Sequence, residues 1–126
     1  DVWEMLDVTT SSKFLTWFSE SNGEFTYNGG TPLDVRIDAQ LSFTGKTNDV
    51  VQVRIIKEDT LLVQTQLKRV QVTLAGTTSQ GRSENAIIAT TDQLIEGDRI
   101  WVEVRNTSGT TDLTCLIDSG SIIQAK

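Results

Sequence analysis

Histidine is missing from this chain altogether, and with it the commonest general base and the commonest metal ligand. The single cysteine, Cys115, has no partner for an intrachain disulfide. With no imidazole to activate it, and with Leu113 and Ile117 in phase on either side, it reads as a buried, inert thiol. So little cysteine fits synthesis in a reducing compartment, although many secreted proteins also fold without bridges. Basic residues are scarce: 11 Lys and Arg against 17 Asp and Glu leave a net charge of -6 and a pI near 4.5, which argues against a protein that tracks phosphates. No apolar run approaches the ~20 residues that span a bilayer, and no basic start with an apolar core marks a signal peptide. The chain opens at Asp1 rather than at a methionine, the expectation for a processed protein or a piece of a longer one.

Convincing amphipathic helices are absent too. What fills the chain is alternation of apolar and polar residues at period two, broken by Gly, Asn, Asp and Thr, and that is the pattern of half-buried strands. The best-marked stretch is Leu94 to Asn106, in which Glu96-Gly97-Asp98 supplies a turn and Ile100, Val102 and Val104 recur on one face. The longest alternation runs from Leu33 to Phe43, with Leu33, Val35, Ile37, Ala39, Leu41 and Phe43 facing inward. Pro32, the only proline, sits just before it, where a strand tolerates a missing donor.

Around these lie Lys13–Ser19, apolar on both faces, and Glu24–Tyr27, set off by Ser21-Asn22-Gly23 and Asn28-Gly29-Gly30. Val50–Lys57 carries Val51, Val53 and Ile55 in phase, and Glu58-Asp59 turns it back into Thr60–Gln66. Lys68–Ala75 points Val70, Val72 and Leu74 inward, and Glu84–Thr91 is expected to do so with Ile87 and Ala89. Two short closing strands, Leu113–Ile117 and Ser121–Ala125, are separated by Ser119-Gly120. About nine strands at this spacing predict an all-β sandwich or barrel. The 126 residues suffice for one domain with its own core. Residues 1–12, with Val2, Trp3, Met5 and Leu6, read as an N-terminal arm or connector to the domain at 13–126, expected to pack on that domain first, with a neighbouring subunit or an upstream domain as the alternatives.

Chemistry is sparsely encoded. Asp34 and Asp38 flank Arg36 on one strand face and read as a solvated, charge-balanced surface rather than a glycosidase pair. The acids of Asn48-Asp49, Glu58-Asp59 and Glu96-Gly97-Asp98 are turn formers without calcium-loop spacing. Asn106-Thr107-Ser108 has the form of a glycosylation acceptor, a match that chance supplies in so Thr- and Ser-rich a chain. We therefore expect no enzymatic activity, no metal and no cofactor. Trp17 and Trp101 fall inside strands, which favours core or subunit contact over a sugar-stacking platform. The loops Thr77–Ser83 and Asn106–Thr111 offer polar groups for a ligand, with Thr77, Ser79, Gln80, Arg82, Asn106, Thr107 and Thr110 as candidates.

The Gly23–Gly30 segment, the strand Val35–Phe43 and above all Leu94–Asn106 give the chain a pattern that resembles the tumour-necrosis-factor-like, complement-head-like jelly roll. That group includes trimeric bacteriophage tail-fibre, tailspike and virion surface domains, and the Ser/Thr/Asn/Gly-rich loops and scarcity of cysteine look most like those. The chain lacks the aromatic-rich closing motifs of the cytokine and complement members. The resemblance implies an antiparallel jelly-roll β-sandwich and a homotrimer. It further implies a non-enzymatic role in adhesion, host attachment or head decoration at the virion surface, for a protein made in the host cytoplasm. Its expected partners are further copies of itself, other virion proteins through the N-terminal arm, and a host-surface glycan, with no nucleic acid and no membrane insertion. Val50, Ile56, Leu62, Ile88, Trp101 and Leu116 lie opposite the expected core face and are the candidates for the trimer interface. A bacterial carbohydrate-binding module and a secreted cytokine- or complement-like ligand are the alternative functions.

Overall fold

The computed structural model describes residues 3–5, 17–44, 48–74, 84–107 and 114–124. Within them the chain forms nine strands: β1 Glu4–Met5, β2 Phe18–Ser21, β3 Glu24–Tyr27, β4 Leu33–Thr44, β5 Val50–Glu58, β6 Gln64–Thr73, β7 Glu84–Leu94, β8 Arg99–Asn106 and β9 Thr114–Gln124. They build two antiparallel sheets. One is six-stranded, in the order β2-β3-β8-β5-β6 with β1 added to β8, and the other is three-stranded, β7-β4-β9.

Period-two patterning explains how the sheets face each other. From β4, Val35, Ile37, Ala39, Leu41 and Phe43 point inward and are all nearly inaccessible, and Val51, Val53 and Ile55 of β5 meet them from the opposite sheet. Ile100 and Val104 of β8 join this core, with Val102, Val70 and Val72 packed at its margin and Leu74 fully buried. Burying such side chains contributes about 1.5–3 kcal/mol each, which makes this the main stabilising term of the fold. The Asn22-Gly23 turn between β2 and β3 has both residues at positive φ, 52° and 87°, the geometry that joins two strands with least splay.

Four strand expectations are corrected. In β7 it is Ala86 and Ile88 that face the core, while Ile87 is exposed. Both phases of this segment are apolar, so register decides: Ile88 pairs with Ala39 and Ala86 with Leu41, each large side chain beside a small one. Ile88 is therefore a core residue and not a candidate for an outer interface.

Thr60–Gln66 and Lys68–Ala75 are not two strands. β6 runs unbroken from Gln64 to Thr73, with a register shift near Leu67 that takes up the extra residue. Leu61, Leu62 and Val63, expected in a strand, form the tip of the hairpin instead, because the Asp59 carboxylate accepts the Leu61 and Val63 N–H groups at 2.9 and 3.0 Å and rounds the turn into a loop.

The two closing strands are likewise one, β9, which follows β4 along its length and shifts register opposite Gln40 and Leu41, leaving Asp118 as the extra residue. Finally, β2 starts at Phe18, and Trp17 before it is 47% exposed, not a core residue. Residues 13–16 lie outside the described residues, as do the arm residues Val2 and Leu6.

Candidate functional site

The turn that opens β8 sets the geometry around it. Asp98, nearly buried, accepts the Ile95 N–H on Oδ2 at 2.9 Å and returns its own N–H to the Ile95 carbonyl at 3.0 Å. Gly97 sits at φ +92° with its open side against the Thr60 methyl, so a Cβ there would be both strained and in collision. Its N–H and the Asp98 carbonyl bond Tyr27, at 2.8 and 2.9 Å, which locks the turn to the end of β3. Tyr27 is itself buried against Phe18, with ring centroids 5.4 Å apart, and its hydroxyl donates to the Thr31 carbonyl. Gly29 lies against the hydroxyl end of that ring, where any Cβ would strike it.

Held in this way, β8 and β5 turn a ladder of side chains away from the core. The paired residues are Glu58 and Arg99, Ile56 and Trp101, Arg54 and Glu103, and Gln52 and Arg105. Arg99 ion-pairs with Glu58 and with Glu24. Arg54 places Nε 2.7 Å and Nη2 2.6 Å from Glu103 Oε1, and Glu103 Oε2 accepts the Trp101 indole N–H at 2.9 Å. Arg105 Nε donates to Gln52 at 2.8 Å, and Gln52 donates onward to Gln71 of β6 at 2.9 Å. At the end of this ladder the Trp3 ring lies against two guanidiniums, 4.1 Å from Arg54 and 4.4 Å from Arg105. Trp3 just precedes β1, whose Glu4 and Met5 pair with Val104 and Glu103 of β8.

Of the six candidate interface residues, Ile56 and Trp101 pair on this ladder but are already buried by the chain itself, at 2% and 5% exposure. Val50 is half-buried at the start of β5, where its carbonyl accepts the Thr107 N–H and hydroxyl. Leu62 is on the opposite end, at the hairpin tip, 69% exposed and with φ 64°, an uncommon backbone for leucine. Ile88 is in the core, and Leu116 pairs with Ser42 in the other sheet. The six do not form one surface.

The candidate loop residues fare differently. Asn106 and Thr107 are tied down: Asn106 Nδ2 reaches Asp49 Oδ2 at 3.1 Å and Thr107 Oγ1 reaches the Val50 carbonyl at 3.1 Å, so both fasten the end of β8 to the start of β5. Thr77, Ser79, Gln80, Arg82 and Thr110 lie outside the described residues. Asp34 and Asp38 keep to the outer face of β4, Asp38 3.6 Å from Arg36 and Asp34 3.3 Å from Gln93. Among the described residues no group of three or more Cys, Asp or Glu is gathered to hold a metal.

Sequence reasoning missed the notch formed by Arg54 and Arg105. Its signal is there, in arginines at outward positions of two strands with a tryptophan in the arm, but only the pairing of β5 with β8 brings them together.

The two-sheet arrangement has a counterpart among solved structures. Eiger TNF from S. frugiperda superposes with a TM-score of 0.58 at 15% identity, over 80% of this chain and 64% of that one. The fold is a tumour-necrosis-factor-like jelly roll. This jelly roll thus spans less than two thirds of its neighbour's length, and at that identity the likeness speaks for the fold alone. No protein-family model and no curated protein matches the chain. In the jelly roll β4 lies at the centre of one sheet and β8 near the centre of the other.

Proposed function

We propose that this jelly roll is a non-enzymatic, homotrimeric structural or adhesion domain of a bacteriophage surface protein. The observation that carries the reading is the fold likeness over most of the chain, joined to large apolar side chains that the single chain leaves in water. Ile87 is 69% exposed on the outer face of the three-stranded sheet, and Leu61, Leu62, Val63 and Ile95 are exposed at one end of the sandwich. A subunit contact over the three-stranded sheet covers Ile87 and leaves the hairpin end free to meet a host surface. The bacteriophage setting draws its support from the polar Ser/Thr/Asn/Gly loops and the near absence of cysteine, which fit a particle assembled in a reducing host cytoplasm.

The first test is absolute mass by light scattering on a sizing column. A mass near three times 13.9 kDa supports the trimer, and a clean monomer at micromolar concentration overturns it. The setting is tested separately, with antibody raised against the chain. Labelling is expected on the outside of intact particles, and unlabelled particles that nonetheless contain the chain overturn a surface position.

A further inference from the structure

One edge of β8 is paired with β5 along its whole length, from Arg99 opposite Glu58 to Asn106 opposite Val51. Its other edge is divided: β3 takes only Arg99 and Ile100, and β1 takes Glu103 and Val104. Among the described residues β1 alone covers the backbone around Val102–Arg105, and such an edge, left bare, templates pairing with an extended segment that reaches it.

Beside this edge stands the notch that receives Trp3. Arg54 is oriented by Glu103 and Arg105 by Gln52, so both guanidiniums are positioned by the sheet and not by the indole they hold. A preformed pocket of this kind loses little freedom when an aromatic ring enters. Main-chain pairing for affinity and a side-chain pocket for selectivity are together what strand addition requires.

Among the described residues the arm is held at Trp3, Glu4 and Met5. β1 contributes two residue pairs, and both Glu4 and Met5 are exposed. Eleven residues, 6–16, separate Met5 from Trp17, enough to reach about 40 Å when extended, which is ample to seat the same arm on a neighbouring molecule.

We propose that the Arg54–Arg105 notch and the adjoining β8 edge form a strand-acceptor site, and that its partner is the tryptophan-bearing N-terminal arm of a second copy, so that copies of this chain exchange arms. The site lies on the six-stranded sheet and does not depend on which face, if any, forms a trimer.

The full-length chain carrying Trp3→Ala has an empty notch and serves as acceptor; a fluorescein-labelled peptide of residues 1–8 serves as the arm. Saturable binding in the micromolar range, followed by anisotropy, is expected, and a peptide with Trp3→Ala should bind at least about tenfold more weakly. Because this comparison changes only the peptide, folding of the acceptor is common to both arms. Full-length wild-type chain in excess should release the peptide from immobilised acceptor, since its own arm can enter the site. A folded acceptor that takes no peptide, or that takes both peptides equally, overturns the site, and failure of the wild-type chain to compete overturns the exchange. The peptide comparison reads the notch and not subunit mass, so a failed site leaves the trimer standing, and a monomeric mass with saturable peptide binding overturns the trimer and leaves the site standing.

Discussion

Ile56 and Trp101 on the outer face of the six-stranded sheet are 2% and 5% exposed, whereas Ile87 on the outer face of the three-stranded sheet is 69% exposed, although all three point away from the shared core. The difference lies in their neighbours. Around Trp101 the ladder is continuous: Glu58 with Arg99 on one side, Arg54 with Glu103 on the other, each charge paired and the indole N–H satisfied by Glu103. Around Ile87, the outward residues of β4 include Gln40 directly opposite and the Arg36–Asp38 pair further along, short of the length or number to roof an isoleucine. Pointing away from the core therefore does not make a side chain available. On one sheet long charged side chains flank Ile56 and Trp101, and on the other the described residues leave Ile87 exposed.

This contrast can be broken at several points. If the ladder around Trp101 is a second packed layer, Trp101→Ala should cost about 3–5 kcal/mol, as truncation in a core does; urea unfolding that shows a change below about 0.5 kcal/mol would reduce the sealed face to ordinary surface. Gly97→Ala acts at the turn that presents β8. It combines an unfavourable φ with the Thr60 collision, and a loss of about 2 kcal/mol in the same assay is expected, with Gly97→Asn costing less because asparagine tolerates positive φ better. Glu103→Gln removes the charge shared by Arg54 and Trp101. The pair is partly open to solvent, at 22% and 13% side-chain exposure, so the loss should be only about 1 kcal/mol and should shrink further in 1 M salt.

The smallest effect on stability is expected from Ile87→Ser, within about 0.5 kcal/mol for the isolated chain. If the open face is the subunit contact, the serine variant should lower the mass measured by light scattering at a given concentration; an unchanged trimer would place the contact elsewhere.

Much of the fold was legible because burial on one face writes itself into period two. The parity of β4, of β5 and of the inward residues of β8 can be read directly, as can the Asn22-Gly23 and Glu96-Gly97-Asp98 turns, since few residues take positive φ without strain. β7 was not legible in the same way. Ala86-Ile87-Ile88-Ala89 is apolar in both phases, and only Leu94, buried and of the same parity as Ile88, carried the signal that could have chosen between them. The hairpin tip misled for a different reason: Leu61-Leu62-Val63 has strand-like composition, but an Asp59 side chain competing for their backbone N–H groups decides the conformation locally.

The candidate interface was drawn from strand parity alone, and parity assigns a face without saying what covers it. Ile56, Trp101 and Leu62 share that treatment in sequence and end up sealed, sealed and exposed.

An all-β chain, the inward faces of β4, β5 and β8 and two tight turns were legible in the sequence, because each of these depends on neighbours within a few residues. Which strands lie side by side depends on contacts between residues far apart in the chain, and with it the ladder on one sheet, the exposed Ile87 on the other and the notch that holds Trp3. Arg54 and Arg105 are 51 positions apart in the chain and meet over one indole only because β5 and β8 pair in one register.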